Sequence, residues 1–452
     1  MQNRIRPWHG GPAVDQLIPS LVNLLAPISP AFRKEVFQTF RLMFGAWIVC
    51  LGRRTVSRVF ETTGRSESHD HSASFRLVAN ALWNWDEVMR LLLASLLQIL
   101  VPGTRVWIVI DDTLCHKRGA KVAFGGIFLD AVLRTRKHKT FRFGNNWVLL
   151  GLVVSLPFRP DRPFCVPLLW RVYEKRGTKP KGEHRTKVDR AADLIRTLAK
   201  WLPNYEILVI ADSADIAKGL LKDRPANVHA IGPICWKAAL TKVKKTRDGQ
   251  EVSSGKRLPN PREIIADDAG WPCEVRTIDL GNGPKRRWLV KVVQACGPTV
   301  VGDAPVQMVL IRDPAGEWRD EALVSTNTKL CDWEIISGYC KRWCVEVAFA
   351  DAKQQLGFHD ACVWKKESVE RTAPMAWFVG TVVLLWYTAH GREHREAKRH
   401  RPWYPKSVTT FSDMLACCRL ALWENWWSQR GDKCPANGPP VEWFLEYVAT
   451  AA

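Results

Sequence analysis

Three acidic positions set among apolar residues carry the chemical interest of this sequence. The run VWIVIDDT, Val106 to Thr113, ends in Asp111 and Asp112, and YEILVIADSAD, Tyr205 to Asp215, passes through Asp212. Glu346 is the one charged residue between Trp343 and Ala350. A carboxylate in such a setting is costly without partners. Carboxylates far apart in sequence but set on core elements are expensive unless a cation joins them, and hard oxygen ligands select Mg²⁺ or Mn²⁺. A pair of such ions activates a water or a 3′-hydroxyl and stabilises the leaving oxygen at a phosphodiester. Simpler roles stand beside this one. Asp212 can cap a following helix, a task that Asp215 could take instead. Glu346 can pair with Arg342 at i, i+4.

The elements that position these groups follow from the pattern. Tyr339 to Leu356 has no Gly or Pro and reads as a buried helix. At about 100° per residue, Tyr339, Arg342, Glu346 and Lys353 fall at roughly 0°, 300°, 340° and 320°, one polar stripe on an apolar rod. Upstream, Leu17 to Leu25, Phe32 to Leu51 and Asp86 to Leu100 have helical spacing. Between the last two lies GRRTVSRVFETTG, with Thr55 as an N-cap and Arg53, Arg54 and Arg58 alongside, an arrangement resembling a helix-turn-helix. After Pro102 and Gly103 the periodicity changes. Strands are expected at Val106 to Thr113, Asn146 to Leu156, Phe164 to Tyr173, Tyr205 to Asp215 and Asn227 to Ile234. Helices are expected at His184 to Leu202 and Ile216 to Lys222. This makes an α/β domain with a mixed sheet, in the order found in ribonuclease-H-like folds. The segment Thr241 to Arg257 reads as basic and flexible, and WLVKVVQA, VQMVLIR and EALVSTN as strands of a β-rich insertion. A helix is expected from Ser412 to Trp427.

Composition narrows the partners. The 452 residues carry 66 Lys and Arg against 45 Asp and Glu, a net charge of +21, which points to a polyanion and most often to nucleic acid. The 13 Cys include no C-x-x-C pair, which argues against a disulfide scaffold or a structural zinc site and for a reducing cytoplasm. No signal peptide is evident at the N-terminus. Thr372 to Ala389 is uncharged and just long enough to span a bilayer, but with its Pro and Gly it reads as a core helix, so no membrane is expected.

With these residues in view, the sequence resembles the insertion-sequence DDE transposases that carry a Tyr-Arg-Glu-Lys signature, the IS-four superfamily, and within it the IS-seven-oh-one branch. The signature Y-x2-R-x3-E-x6-K is met by Tyr339, Arg342, Glu346 and Lys353, the first motif by DDTLCHK, Asp111 to Lys117, and the second by ADSAD, Ala211 to Asp215. The β-rich insertion before the Glu helix is the fourth point of likeness. The resemblance implies a ribonuclease-H-like mixed-sheet core with a β-rich insertion, an N-terminal all-helical domain and a helical C-terminal tail. It divides the chain into a helical DNA-end-binding domain (1–102), a catalytic core in two parts (103–234 and 329–400) around the insertion (235–328), and the tail (401–452). It implies Asp112, Asp212 and Glu346 as the catalytic and metal-binding triad for two Mg²⁺ ions, with Mn²⁺ able to substitute. Members usually place the catalytic Asp directly before Thr, which selects Asp112, and sheet alternation sends Asp111 to the opposite face.

The same resemblance gives Tyr339, Arg342 and Lys353 the DNA phosphates near the cleaved end; a bidentate guanidinium and a point-charge ammonium both suit phosphate. The implied activity is cut-and-paste transposition: binding of terminal inverted repeats, cleavage at the element ends, and joining of 3′-hydroxyl ends to target DNA. The partner is double-stranded DNA. Two ends must meet, so a homodimer on DNA is expected, in a bacterial cytoplasm beside the nucleoid. A catalytically inactive DNA-binding descendant, or another ribonuclease-H-like nuclease, are the alternatives. Further DNA contacts are expected from Arg134, Arg136, Lys137, Lys139 and Arg142 between the first two strands, unless that stretch is a solvated hairpin, and from Arg53, Arg54 and Arg58.

Overall fold

The computed structural model describes residues 17–63, 71–133, 135, 137–175, 177, 184–212, 224–267, 269, 271, 276–278, 286–297, 304–317, 319–391 and 406–428. The first of these form helices α1 (Pro19–Leu25), α2 (Lys34–Val49), α3 (Val56–Thr62), α4 (Ser72–Ala79) and α5 (Trp85–Leu100). Local signals fix their starts. The Thr55 side chain accepts from the Arg58 backbone N–H at α3, and Asn84 accepts from Glu87 N–H at α5.

Strands β1 (Arg105–His116), β2 (Gly126–Leu129), β3 (Phe141–Leu156) and β4 (Arg159–Tyr173) follow, then α6 (Lys187–Trp201), β5 (Glu206–Ala211) and β6 (Val228–Pro233). Strand β3 pairs antiparallel with β1, β2 and β4, whereas β5 lies parallel to β1 and β6 parallel to β5. The resulting order, β4–β3–β1–β5–β6, puts β1 at the centre, its continuous apolar run Ile108–Ile110 buried on both faces. The helix expected at Ile216 to Lys222 lies outside the described residues.

The sheet does not stop at β6. Hairpin β7 (Leu240–Lys245)–β8 (Glu251–Leu258), helix α7 (Pro261–Ala266), and strands β9 (Arg276–Ile278), β10 (Arg286–Cys296), β11 (Pro305–Arg312) and β12 (Glu321–Ser325) come next. Strand β12 returns antiparallel to β6, with Leu323 opposite Pro233 and Val324 opposite Gly232. The order then runs on through β11, β10, β7 and β8, giving one mixed sheet of 12 strands among the described residues. The segment Thr241 to Arg257, expected to be flexible, is instead this ordered hairpin. Its turn holds Gly249 at φ +77°, a conformation glycine adopts without cost.

After β12 come α8 (Asp332–Cys340), a 3₁₀ turn at Lys341–Trp343, α9 (Cys344–Gln355), α10 (Lys366–His390) and α11 (Phe411–Ser428). The single rod expected from Tyr339 to Leu356 is therefore broken. The backbone stays right-handed helical through the tighter winding at 341–343, and Trp343 is 58% exposed rather than buried with the rest of the expected apolar run. Helix α10 is long and apolar enough to cross a membrane, but 83% of its apolar window is buried within the molecule. It is the core helix the sequence suggested.

The N-terminal helices share their core with the sheet. Phe40 packs on Phe378 of α10, and Trp85 on Trp170 of β4, which meets Trp377 of α10. Trp47 Nε1 donates to the carbonyl of Leu356 at 2.9 Å, and Arg419 Nε of α11 to that of Ile48 at 2.8 Å. Helices α1 to α5 thus form part of one apolar interior with α10 and α11.

Candidate active site

Strand β1 carries Asp111 and Asp112 half-buried at its middle, between the buried runs Ile108–Ile110 and Thr113–Cys115, and alternation sends them to opposite faces. Asp112 turns toward α6, where Lys187 Nζ lies 2.6 Å from its Oδ2. Asp111 turns toward α8 and α9. Its Oδ2 lies 3.4 Å from Arg342 Nη1, and Arg342 Nη2 lies 3.1 Å from Glu346 Oε1. One guanidinium therefore bridges two carboxylates, in a pocket where Arg342 and Asp111 are only 18% and 22% exposed. The expected i, i+4 pair of Arg342 and Glu346 is present, and it has a third member.

Asp212 follows β5 directly. The parallel register sets Ala211 opposite Ile110, so the next pair along is Asp212 and Asp111, on strands about 4.8 Å apart. Asp212 is close enough to Tyr339 and Arg342 to act on both electrostatically. Four of the expected residues, Asp212, Tyr339, Arg342 and Glu346, thus gather around Asp111. Asp112 does not join them: the side of β1 covered by the Glu-bearing helix is the Asp111 side.

Burial raises the Asp111 carboxyl to about 6, and the charges of Asp112 and Glu346 push the same way. The Asp112 backbone N–H, donating to Asp111 Oδ1 at 2.7 Å, and the Arg342 guanidinium oppose them. Burial likewise raises the Tyr339 hydroxyl. The helix that delivers Tyr339 rests on Trp107 of β1. Gly338 lies against that ring so closely that a Cβ would overlap it, and Lys341 Nζ stands 4.6 Å above the ring centre.

The remaining expectations separate. Lys353 sits on α9 near Cys115 and Asp130, beyond the carboxylates along β1, and burial lowers its ammonium. Lys137, Lys139 and Arg142 are exposed, while Arg134 and Arg136 lie outside the described residues. Arg53 and Arg58 are exposed, the latter paired with Glu61. Arg54 is corrected: it is 5% exposed, its Nε donates to the carbonyl of Trp47 at 3.0 Å and its backbone N–H to Asp360, so it fastens α2 to the loop after α9 rather than meeting a ligand. The sequence offered Lys187 only as the end of a basic stretch, Lys175 to Lys187, and Trp107 only as a strand residue; the pairing of Lys187 with Asp112 and the seat of the helix on Trp107 were not read from it. Lys187 lies 75 residues from Asp112, and the helix expected from His184 to Leu202 gave no sign of which strand its first turn would meet.

The donor chemistry of Asp111, Asp212 and Glu346 fits a hard divalent cation, since all three offer carboxylate oxygens. Among the described residues no three acidic, His or Cys side chains close on a common point, and the positive charge between Asp111 and Glu346 belongs to Arg342.

The model of the DDE superfamily endonucleases matches residues 28–277, more than half of the chain. The chain belongs to this family. The match includes Asp111, Asp112 and Asp212 and ends before the Glu346 helix, and the family implies a divalent metal. No curated protein matches the chain. A cryo-electron-microscopy structure of a piggyBac transposase synaptic complex with hairpin DNA is similar over 97% of this chain and 83% of its own, at 11% identity and a TM-score of 0.42.

Proposed function

We propose that this DDE endonuclease is a cut-and-paste DNA transposase of the Tyr-Arg-Glu-Lys type, built on a ribonuclease-H-like core. One observation carries the reading: Asp111 and Asp212 stand side by side where the parallel pairing of β1 with β5 runs out, and Glu346 reaches Asp111 through Arg342. Strand ends of an α/β sheet are where sites form. The order β4–β3–β1–β5–β6 supports the core assignment. In this reading Asp111, rather than Asp112, joins Asp212 and Glu346 as the metal-binding triad. Residues 103–234 and 329–400 form the core around the insertion at 235–328, the segment 1–102 contributes to end recognition, and 401–452 is the C-terminal tail.

Asp111, Asp212 and Glu346 would hold divalent Mg²⁺ or Mn²⁺, which would supply Lewis-acid activation of the attacking oxygen and stabilisation of the leaving one. The chain does the rest. Arg342, poised between two acids, offers a bidentate fork to a phosphate, and Tyr339 beside it a hydroxyl donor. Trp107 holds the turn that carries both. Exposed basic residues supply salt-sensitive, sequence-independent attraction to the duplex, and two copies of the chain hold two element ends.

The test uses the purified full-length chain and DNA carrying the inverted repeats that flank its gene. Asp111→Asn, Asp212→Asn and Glu346→Gln should each lower Mg²⁺-dependent end cleavage by about a thousandfold or more while end binding persists. Asp112→Asn should stay within about tenfold of the parent. Cleavage that survives Asp111→Asn and dies with Asp112→Asn would restore Asp112 to the triad. Binding without cutting in the parent would leave a DNA-binding descendant of a transposase.

A further inference from the structure

The hairpin that joins β2 to β3 carries a row of apolar side chains that the fold leaves uncovered. Leu129 stands opposite Phe141 and Ile127 opposite Phe143, so these residues share one face. Ile127 is 59% exposed and Phe141 57%, and at the turn Val132 and Leu133 are 79% and 45% exposed. Lys137, Lys139 and Arg142 stand beside them, also exposed. The tip is nonetheless built. Asp130 is buried; its Oδ1 accepts from the backbone N–H groups of Val132 and Leu133, and its Oδ2 lies 2.6 Å from His116 Nε2. Thr140 Oγ1 donates to the carbonyl of Leu133, and Thr135 N–H to that of His138. Contact with phosphates requires the cations alone. An apolar row held out by an ordered turn marks a surface that another protein covers.

A surface of opposite charge lies about 20 Å away along β3, the span from Phe141 to Trp147 at roughly 3.3 Å per residue. There a cleft of ≈440 Å³ opens between the start of α5, strands β3 and β4, and the first turn of α10. Trp83, Trp85, Trp147 and Trp170 line it, with Asp86, Glu367 and Glu370 as its acids. The walls use up its two arginines. Arg171 gives both terminal nitrogens to Asp86, at 2.8 and 2.5 Å. Arg371 lies over Trp83, 5.0 Å from the ring centre, and donates to the carbonyls of Ala81 and Trp83. Glu367 and Glu370 are exposed and, among the described residues, in no ion pair. Trp85 and Trp147, 7% and 1% exposed, carry indole N–H groups with no acceptor among the described residues. A peptide turn bearing lysines supplies a cation for the carboxylates, carbonyls for the indole N–H groups and methylene stems for the rings.

We propose that the β2–β3 hairpin of one copy seats its tip in the aromatic, acidic cleft of a second copy, and that the second copy returns the contact. Two complementary surfaces on one chain make a patch that is its own partner, the condition for a twofold dimer. A net charge of +21 sets two copies against each other in general, whereas here Lys137 and Lys139 meet Glu367 and Glu370. The hydrogen-bonded turn is pre-organised, so little conformational freedom is lost on docking. The inference rests on the proposed function only for two copies acting together, and it names the surface by which they meet without DNA.

The experiment is sedimentation of the full-length chain, freed of nucleic acid, over a range of protein and salt concentrations. The parent should show a monomer–dimer equilibrium that weakens as salt rises. Lys137→Glu with Lys139→Glu should raise the dimer Kd by about tenfold or more, and so should Glu367→Lys with Glu370→Lys. An equimolar mixture of the two charge-reversed chains should recover the parental Kd, because each tip then meets a cleft of opposite sign. Recovery on mixing also shows that both variants are folded. A parent that stays monomeric at every concentration reached would overturn the interface. So would a dimer whose Kd the reversals leave unchanged, or reversed chains with parental Tm that fail to pair when mixed. Failure of the two ideas is separable. A parent that cuts element ends while its reversed chains dimerise like the parent loses only this interface; a parent that dimerises through it but never cuts loses only the transposase reading.

Discussion

At the scale of single residues, Asp112 and Lys187 meet across the layer between β1 and α6, each about one-third exposed. A pair so placed contributes at most about 1 kcal/mol. Lys187→Met should therefore lower stability by about that much in a denaturant titration, and Asp112→Asn with Lys187→Met should cost no more than either change alone. Arg342 behaves differently, because it neutralises Asp111 and Glu346 together. Arg342→Met leaves those carboxylates facing each other, so the variant should melt lower than the parent without divalent ions and gain more from added Mg²⁺. Equal Mg²⁺-induced shifts of Tm in the two proteins would show that Arg342 does not compete for the metal's place. The acidic pair was legible in the sequence as part of a strand, though β1 runs on to His116 rather than ending at the pair, and alternation already required the two side chains to part. Which of them faces the Glu helix was not legible. That depends on the side of the sheet taken by α6 and by α9, a matter of long-range packing that no spacing near Asp111 encodes.

At the scale of elements, the passage from α8 through a 3₁₀ turn into α9 sets the site. The uninterrupted polar stripe gave the right grouping of Tyr339, Arg342 and Glu346 but the wrong shape. Propensity saw no Gly or Pro to break the helix, whereas the break comes from a tighter turn. Gly338 is where this passage touches β1. Gly338→Ala should destabilise by about 1–3 kcal/mol, since its methyl must displace the Trp107 ring or the helix. Cleavage should fall further than stability, because Tyr339 and Arg342 ride on the same turn.

Further along α9, burial raises the Asp351 carboxyl to about 6, against the hydrogen bond from Gln355. The unfolded carboxyl titrates near 3.9, so the native state binds its proton more tightly and stability falls as pH rises from about 4 through 6. Asp351→Asn should remove that penalty. It should raise stability at pH 7.5, on the order of 1–2 kcal/mol, and leave it nearly unchanged near pH 4. Melting curves at both values decide it; an equal gain at both would mean that the carboxylate's charge is not the cause.

At the scale of the whole molecule, the boundary at Pro102 and Gly103 marks a change of secondary structure but not of core. Phe40, Trp47 and Trp85 reach residues of α10, β4 and the end of α9. The sequence could announce the switch from helical to strand periodicity, but not that both sides of it close over one interior, since the contacts span some three hundred positions. A fragment starting at residue 103 should consequently fail to give a cooperative melt, and the full chain should lose its N-terminal helices and its sheet in one transition by circular dichroism. Two separate transitions would argue for independent units.

The unbroken sheet has a mechanical consequence. From β5 to β7 there are five inter-strand steps, β5–β6–β12–β11–β10–β7, or roughly 24 Å at about 4.8 Å each. Strand β7 and its hairpin partner carry Lys242, Lys244, Lys245, Lys256 and Arg257 at the surface. Strand pairing links these cations to Asp212 at every step, down to the single Cys296–Thr241 bridge between β10 and β7, so the interval between them behaves as a gauge of set length. DNA lying across both points would be gripped about seven base pairs from the bond that breaks, at 3.4 Å per pair. Footprints on element ends should carry protection at that spacing, and reversing the charges of Lys244 and Lys245 should erase it there without moving it.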